Sequence, residues 1–360
     1  MKSQKDPIIH WDFGAAYDLF VSLHVLHDPT GFGLRPSWAA GVRSRLSNEE
    51  RKTLEEINEI IGIPFHWIYS LSNQKDVAST LWALRQLPNE ERLPALTCIP
   101  GRDAELISKL KDVAEKKSWD KEDVDIVKAK LLDEEHGRKK SKNTEKILET
   151  WANSGEFGER LLKSLDSYYE SFFAEEERHI YAALKNAYLK AQEMAEKVPF
   201  PELFENLSQG VIVSELFSSP EIVLIPSYWS TPLIFFGNIN DNCKAILFGA
   251  RPDDVSLVPG EVVPDTLLRI LKAIADPTRL RILRYLSQEE LTQAELARRL
   301  RLRAPTLTHH LRSLRLAGLV FLKVESLRDQ RYAARLEAIR AMFSSLENFL
   351  KYDLEENQQK

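Results

Sequence analysis

Apolar residues recur at three- and four-residue steps through most of the first two hundred positions, which predicts a mainly helical region. Residues 48–61 place Leu54, Ile57, Ile60 and Ile61 on one stripe behind a Ser47-Asn48 cap signal. Residues 76–87 repeat the pattern with Val77, Leu81, Trp82 and Leu84, and Pro88 stops it. Residues 104–153 read as charged helix broken at Glu135-His136-Gly137-Arg138-Lys139-Lys140, an expected surface loop. The longest periodic stretch, 157–197, carries Leu161, Leu165, Tyr168, Phe172, Ile180, Leu184, Tyr188 and Met194 on its stripe. Unbroken, roughly 40 residues of helix would span about 60 Å. One small domain cannot bury that length, so the segment is expected to bridge subdomains or to join a dimer.

Past Pro199 the pattern changes. Residues 210–213, 221–225, 232–236 and 244–248 are short β-branched or aromatic runs, punctuated by Ser219-Pro220, Gly237-Asn238 and Asp241-Asn242. They predict a small antiparallel sheet near 209–250 that closes the upstream region. Residues 251–254 and 258–260 then read as a linker. Helices are predicted at 267–274, 279–286, 293–299 and 305–317, followed by extended runs at 319–324 and 331–334 and a last helix at 336–352. Thr292 and Glu295 have capping-box spacing, Asp276-Pro277-Thr278 is a cap with proline in the first turn, and Gly318 ends the fourth helix. A tight turn at Arg301-Leu302-Arg303 and the hairpin that follows make this a winged helix-turn-helix. The expected fold is therefore mainly α with a small antiparallel β portion. A helical sensor or oligomerisation domain occupies 1–260 and the winged module 261–360.

Composition refines this picture. With 360 residues, 43% hydrophobic and 29% charged, the chain suits two or three soluble globular domains. A net charge of −5 argues by itself against a nucleic-acid partner, but it hides an asymmetry. From Asp265 to Arg335 there are 15 Lys and Arg against seven Asp and Glu, a local +8 that leaves −13 for the rest. A basic module on an acidic body is the layout expected when one end meets phosphate. The N-terminus has no apolar signal-peptide core, and no run reaches the roughly 18 apolar residues of a membrane helix. The two cysteines, Cys98 and Cys243, form no paired motif, which points to a reducing cytoplasm. Six of the seven tryptophans fall between Trp11 and Trp151, where core filling explains them better than a ligand box.

On the helix at 305–317, Leu307, Leu311 and Leu314 share one face, leaving Thr306, Thr308, His309, Arg312 and Arg315 for solvent. Hydroxyls near the helix start suit base edges and thymine methyls, and arginines suit guanine or phosphate. His310 borders the apolar stripe and is expected to pack. Arg303 stands where a small capping residue is usual, so it either reaches a phosphate or weakens the cap. In the hairpin, Lys323, Arg328 and Arg331 are placed for the backbone beside the minor groove.

The stretches Ala273-Ile274-Ala275-Asp276-Pro277-Thr278-Arg279-Leu280-Arg281-Ile282-Leu283, Glu295-Leu296-Ala297, Pro305-Thr306-Leu307-Thr308-His309-His310-Leu311 and Leu314-Arg315-Leu316-Ala317-Gly318-Leu319-Val320 resemble ArsR-type regulators in order and separation. The resemblance covers under a quarter of the chain. It implies a cytoplasmic homodimeric repressor that binds double-stranded DNA, with 267–274 and 336–352 as the dimer seam and two half-sites about one helical turn apart. Many relatives sense metal through cysteines on the helix that here begins Thr292-Gln293-Ala294. This module has no cysteine, so a metal effector at that site is not expected. His24 and His27, one turn apart beside Asp28 and with His10 nearby in sequence, could share a metal, but a surface or core pair explains them more simply. No nucleophile elbow, phosphate-binding glycine loop or HExxH is present, no cofactor is expected, and enzymatic activity is unsupported. The effector is expected to act through 1–260. The alternative is a small-molecule-binding or enzymatic upstream domain with a regulatory winged helix. Tyr228, Trp229, Phe235 and Phe236 would line its pocket, although a plain sheet core accounts for them equally well. A winged helix that serves protein contacts alone would show little salt dependence with DNA.

Overall fold

The computed structural model describes residues 6–34, 36–72, 75–101, 103–135, 143–213, 219–252, 255, 263–326 and 329–356. Its strands are β1 (Ile8–Trp11), β2 (Val211–Val213), β3 (Glu221–Ser227), β4 (Phe235–Asn240), β5 (Cys243–Gly249), β6 (Leu291–Thr292), β7 (Val320–Ser326) and β8 (Asp329–Ala334). Its helices begin with α1 (Ala15–His27), α2 (Pro36–Arg43), α3 (Asn48–Ile60), α4 (Phe65–Ser70), α5 (Val77–Gln86) and α6 (Asn89–Thr97). They continue with α7 (Ala104–Lys116), α8 (Lys121–Glu135), α9 (Thr144–Ala152), α10 (Ser154–Tyr168), α11 (Ala174–Ala195) and α12 (Phe200–Leu207). The last are α13 (Asp265–Ile274), α14 (Pro277–Leu286), α15 (Gln293–Leu300), α16 (Ala304–Leu316) and α17 (Leu336–Glu356). Among the described residues, no helix is long and apolar enough to cross a membrane. The mainly helical expectation holds.

The last division falls at 250/251, at the start of the expected linker, but two earlier segments group with the C-terminal part. One unit comprises residues 7–190 and 219–250, the other 1–6, 191–218 and 251–360. The smaller unit thus takes in a segment that the sequence pattern had assigned to the upstream domain. The expected linker positions 253–254 and 258–260, and positions 136–140 of the expected loop, lie outside the described residues.

In the larger unit α1 is apolar on nearly every side and is buried along most of its length, as a helix in the middle of a core must be. It packs on α3, α5 and β3. Around it the cap read at Ser47 is in place, completed by Glu50 into a full capping box on α3, and Asp76 accepts the Ser79 amide at 2.8 Å to start α5. Gly158 of α10 lies so close to α6 that an added Cβ would sit 1.9 Å from the Asn89 carbonyl oxygen. From 154 to 195 the chain is helical but not uniformly α. A π-helical turn at Tyr169–Phe173 separates α10 from α11. The wider turn inserts one extra residue, and Phe172 and Phe173, neighbours in sequence, are both buried there.

The sheet of this unit runs β1-β3-β5-β4. β1, β3 and β5 are mutually parallel and only β4 is antiparallel, which corrects the all-antiparallel expectation. Ile222, Val223, Leu224 and Ile225 are completely buried in succession. Such continuous apolar runs mark strands covered on both faces, as in parallel sheets, rather than the alternation of a half-exposed one. β1, unforeseen in the polar and aromatic N-terminal stretch, pairs with β3 from Ile8 opposite Glu221 to Trp11 opposite Leu224.

Asp18 of α1, fully buried, fixes the turn after β3. Ser227 Oγ donates to it at 2.7 Å, and the Tyr228 and Trp229 amides at 3.1 and 2.9 Å. Desolvation outweighs these donors and pushes its carboxyl up to about 6 from the ordinary value of 3.8. The folded chain therefore holds this proton over a window in which the unfolded chain has released it. Asp18's contribution is greatest below pH 4 and falls as pH rises through 6. Urea unfolding over a pH series should show the native chain losing about 2–3 kcal/mol relative to Asp18→Asn between pH 4 and pH 7. A pH-independent difference would contradict this.

Candidate nucleic-acid interface

The basic C-terminal helices owe their starts and stops to side chains read from the sequence. Asp276 accepts the Arg279 amide at 2.8 Å to open α14. Thr292 and Glu295 close a full capping box on α15, with Glu295 Oε2 accepting the Thr292 amide at 2.8 Å. Arg301 ends α15 in the left-handed region at φ 55°, a conformation that costs a side-chain-bearing residue strain, and the chain turns at once into α16. There Arg303 occupies the cap position without a side-chain cap bond, and Pro305 sits in the first turn. Gly318, at φ 66°, takes the chain out.

Leu307, Leu311 and Leu314 of α16 are buried with Ile282, Leu286, Leu296 and Leu300 in one core. The opposite face is exposed at Arg303, Thr306, Thr308, His309 and Arg312. Thr308 is already braced: its hydroxyl donates to the Ala304 carbonyl at 2.9 Å and accepts from Gln293 Nε2 at 2.6 Å. Gln293, on the exposed side of α15, thus steadies the first turns of α16. A polar residue just inside a helix start carries no sequence signal for that role. His310 packs as read, its side chain largely buried and Nδ1 3.8 Å from Asp276 Oδ1. Burial draws its pKa below the ordinary histidine value, against the raising pull of Asp276.

Arg315 departs from the expected exposed set. Its Nη1 donates to the Gln209 carbonyl at 2.9 Å and its Nη2 to that of Ser208 at 3.1 Å, and burial pulls its guanidinium below the ordinary arginine range. Arg335 joins it, donating from Nη1 to Gln209 O at 2.9 Å and Gly318 O at 3.1 Å, with its guanidinium over the Phe321 ring. The clamped carbonyls end α12 and lead into β2, which adds to the wing as a parallel strand. The sheet order is β2-β7-β8-β6, with Val211, Ile212 and Val213 opposite Leu322, Lys323 and Val324. Residues 211–213 therefore belong to the wing and not to the upstream sheet. Of the hairpin cations, Lys323 pairs with Glu290, Arg331 is half-buried opposite Lys323 and Thr292, and Arg328 lies outside the described residues.

Residues 276–320 match the family model described as "Bacterial regulatory protein, arsR family". Within the C-terminal module, residues 276–320 form an ArsR-family domain. This supports a DNA-binding transcriptional regulator. An ArsR-like transcriptional regulator from Rhodococcus sp. RHA1 is similar at 28% identity over 26% of this chain and 90% of its own, with a TM-score of 0.23. No curated protein matches the chain. The histidines considered for metal lie in the larger unit and are engaged separately. His24 Nδ1 bonds Asn58 Oδ1 at 3.0 Å, His27 Nδ1 the Leu23 carbonyl at 2.7 Å, and His10 Nε2 the Glu221 carboxylate at 3.0 Å.

In this ArsR-family domain Arg315 secures the fold. Arg315→Met keeps much of the side-chain volume but leaves the Ser208 carbonyl without its charged donor and the Gln209 carbonyl with Arg335 alone. It should lower the unfolding free energy by about 2–3 kcal/mol in urea. A variant as stable as the parent would show that those carbonyls do not depend on it.

Proposed function

We propose that the protein is a cytoplasmic transcription regulator that binds a two-fold DNA site as a homodimer, represses from it, and answers to an effector bound in the larger unit. The observation that supports this best is the division of α16. A leucine stripe faces the core while Thr306, His309 and Arg312 present hydroxyl, imidazole and guanidinium groups to solvent, beside the exposed but internally bonded Thr308. These are the groups that read base edges and phosphates from a helix in the major groove. Arg303, at the start of α16, is exposed beside them and suits a phosphate.

The dimer is supported by α17, whose Leu336, Phe343 and Leu350 recur every seven residues and are 45%, 58% and 61% exposed. A seven-residue apolar repeat on one helix face is the pattern of a seam with another helix. α17 also packs on α13, so both helices expected at the seam lie together. No reaction is assigned to the chain.

Selection of duplexes from a random library by the full-length protein should enrich a two-fold site. On that site Arg312→Ala should weaken binding by about 1–3 kcal/mol. Affinity should fall steeply with salt through released counterions. Phe343→Glu should shift the protein toward monomer in sedimentation. Failure to enrich any duplex, or salt-independent binding, would overturn the proposal.

A further inference from the structure

The larger unit contains a cavity of about 590 Å³, walled by α1, the 58–66 turn into α4, the end of α6, α7, α9 and β4. This volume lies within the usual range for small-molecule sites. Ile60, Ile61, Ile63, Ile107 and Phe235 reach it only half-buried, and Phe236 is 40% exposed. Apolar side chains left partly open and gathered around one concavity are what a ligand-binding wall presents.

Its polar groups narrow the chemistry. His24 Nδ1 faces Asn58 Oδ1 at 3.0 Å, and His66 Nε2 faces the Ala95 carbonyl at 3.0 Å. With the Asn58 side chain so oriented, both partners are acceptors and each ring nitrogen must donate. In the neutral imidazole the other nitrogen is then an acceptor. Burial draws His66 below the ordinary histidine value, which keeps that ring neutral. Rings also fix His24, which stands edge-on to Phe32 and to Phe235 at 89°, while those two phenyls stack at 7°.

Charge at the rim is balanced inside the protein. Glu59 pairs with Lys146 at 2.8 Å, and Asp103 caps the Leu106 amide at 3.1 Å while lying 3.4 Å from Lys130. No Lys or Arg lines the cavity among the described residues, so none of the lining side chains described would compensate a buried carboxylate or phosphate.

We propose that this cavity binds a neutral, largely apolar molecule whose hydroxyl or N–H group donates to the imidazole of His24 or His66. Identifying that molecule as the effector rests on the regulator reading above; the binding site itself does not.

Phenylnaphthylamine, a neutral aromatic amine whose fluorescence rises in apolar surroundings, is the direct probe. Full-length protein should bind it saturably. Anilinonaphthalene sulfonate, the same ring system with a negative charge, should bind at least about tenfold more weakly for want of a cation. Ile107→Trp fills the cavity and should abolish saturation, with folding checked by thermal melting. Phe236→Ala, at a more exposed position, should weaken binding severalfold and serves if the first variant does not fold. Trp82→Ala, on the exposed face of α5, should leave binding unchanged. Absence of saturable binding, equal affinity for the sulfonate, or full binding by folded cavity variants would overturn the site. DNA binding by the same preparations is measured in parallel. Intact DNA binding without probe binding sinks the cavity proposal alone, and probe binding without DNA binding sinks the regulator reading alone.

Discussion

The winged module depends on two guanidinium groups holding the backbone of a distant segment. Arg315 and Arg335 converge on the carbonyls of Ser208 and Gln209, where α12 ends and β2 begins. Hydrogen bonds from a charged donor contribute about 1.5–3 kcal/mol each, and a buried carbonyl left alone costs a similar amount. The turn itself needs that support. Gln209 and Gly210 are both left-handed, at φ 54° and 90°, and a Cβ at Gly210 would lie 2.8 Å from Arg335 Cδ and from the Phe321 ring. With the turn held, β2 registers on β7 and the Gly210 carbonyl accepts the Leu322 amide at 2.9 Å. The module is therefore assembled through contacts between residues more than a hundred positions apart in the chain.

This arrangement divides α16 between two tasks. Its first turns carry the exposed Thr306, His309 and Arg312, and Gln293 braces Thr308 there. Its last turn carries Arg315, which faces the carbonyls of 208–209. A cation near a helix C-terminus is favourable in any case, and here it also joins α16 to the extra wing strand. Lys323 sits on β7 beside that strand and is paired with Glu290. Within the described wing, then, cations serve the fold as well as the surface.

What was legible in the sequence is what local chemistry decides. Capping boxes, the proline starts of α14 and α16, the leucine stripe and the packing role of His310 follow from spacing along one helix. Arg315 was misplaced for a physical reason. It lies three residues after Arg312, on a helix face that is polar by sequence, and only the arrival of Ser208 and Gln209 turns that face into an interior. β1 and β2 escaped for the same reason: three or four residues without alternation become strands when a partner edge is present, and those partners are more than a hundred residues away. The parallel sheet was nearer to hand, because unbroken apolar runs already argue for coverage on both faces.

Amide hydrogen exchange on the full-length protein tests most directly whether 208–213 belong to the DNA-binding module. Protection at Val211–Val213 should match that of β7, and Arg315→Met should reduce both together. Free exchange at 211–213 beside a protected β7 would contradict the account.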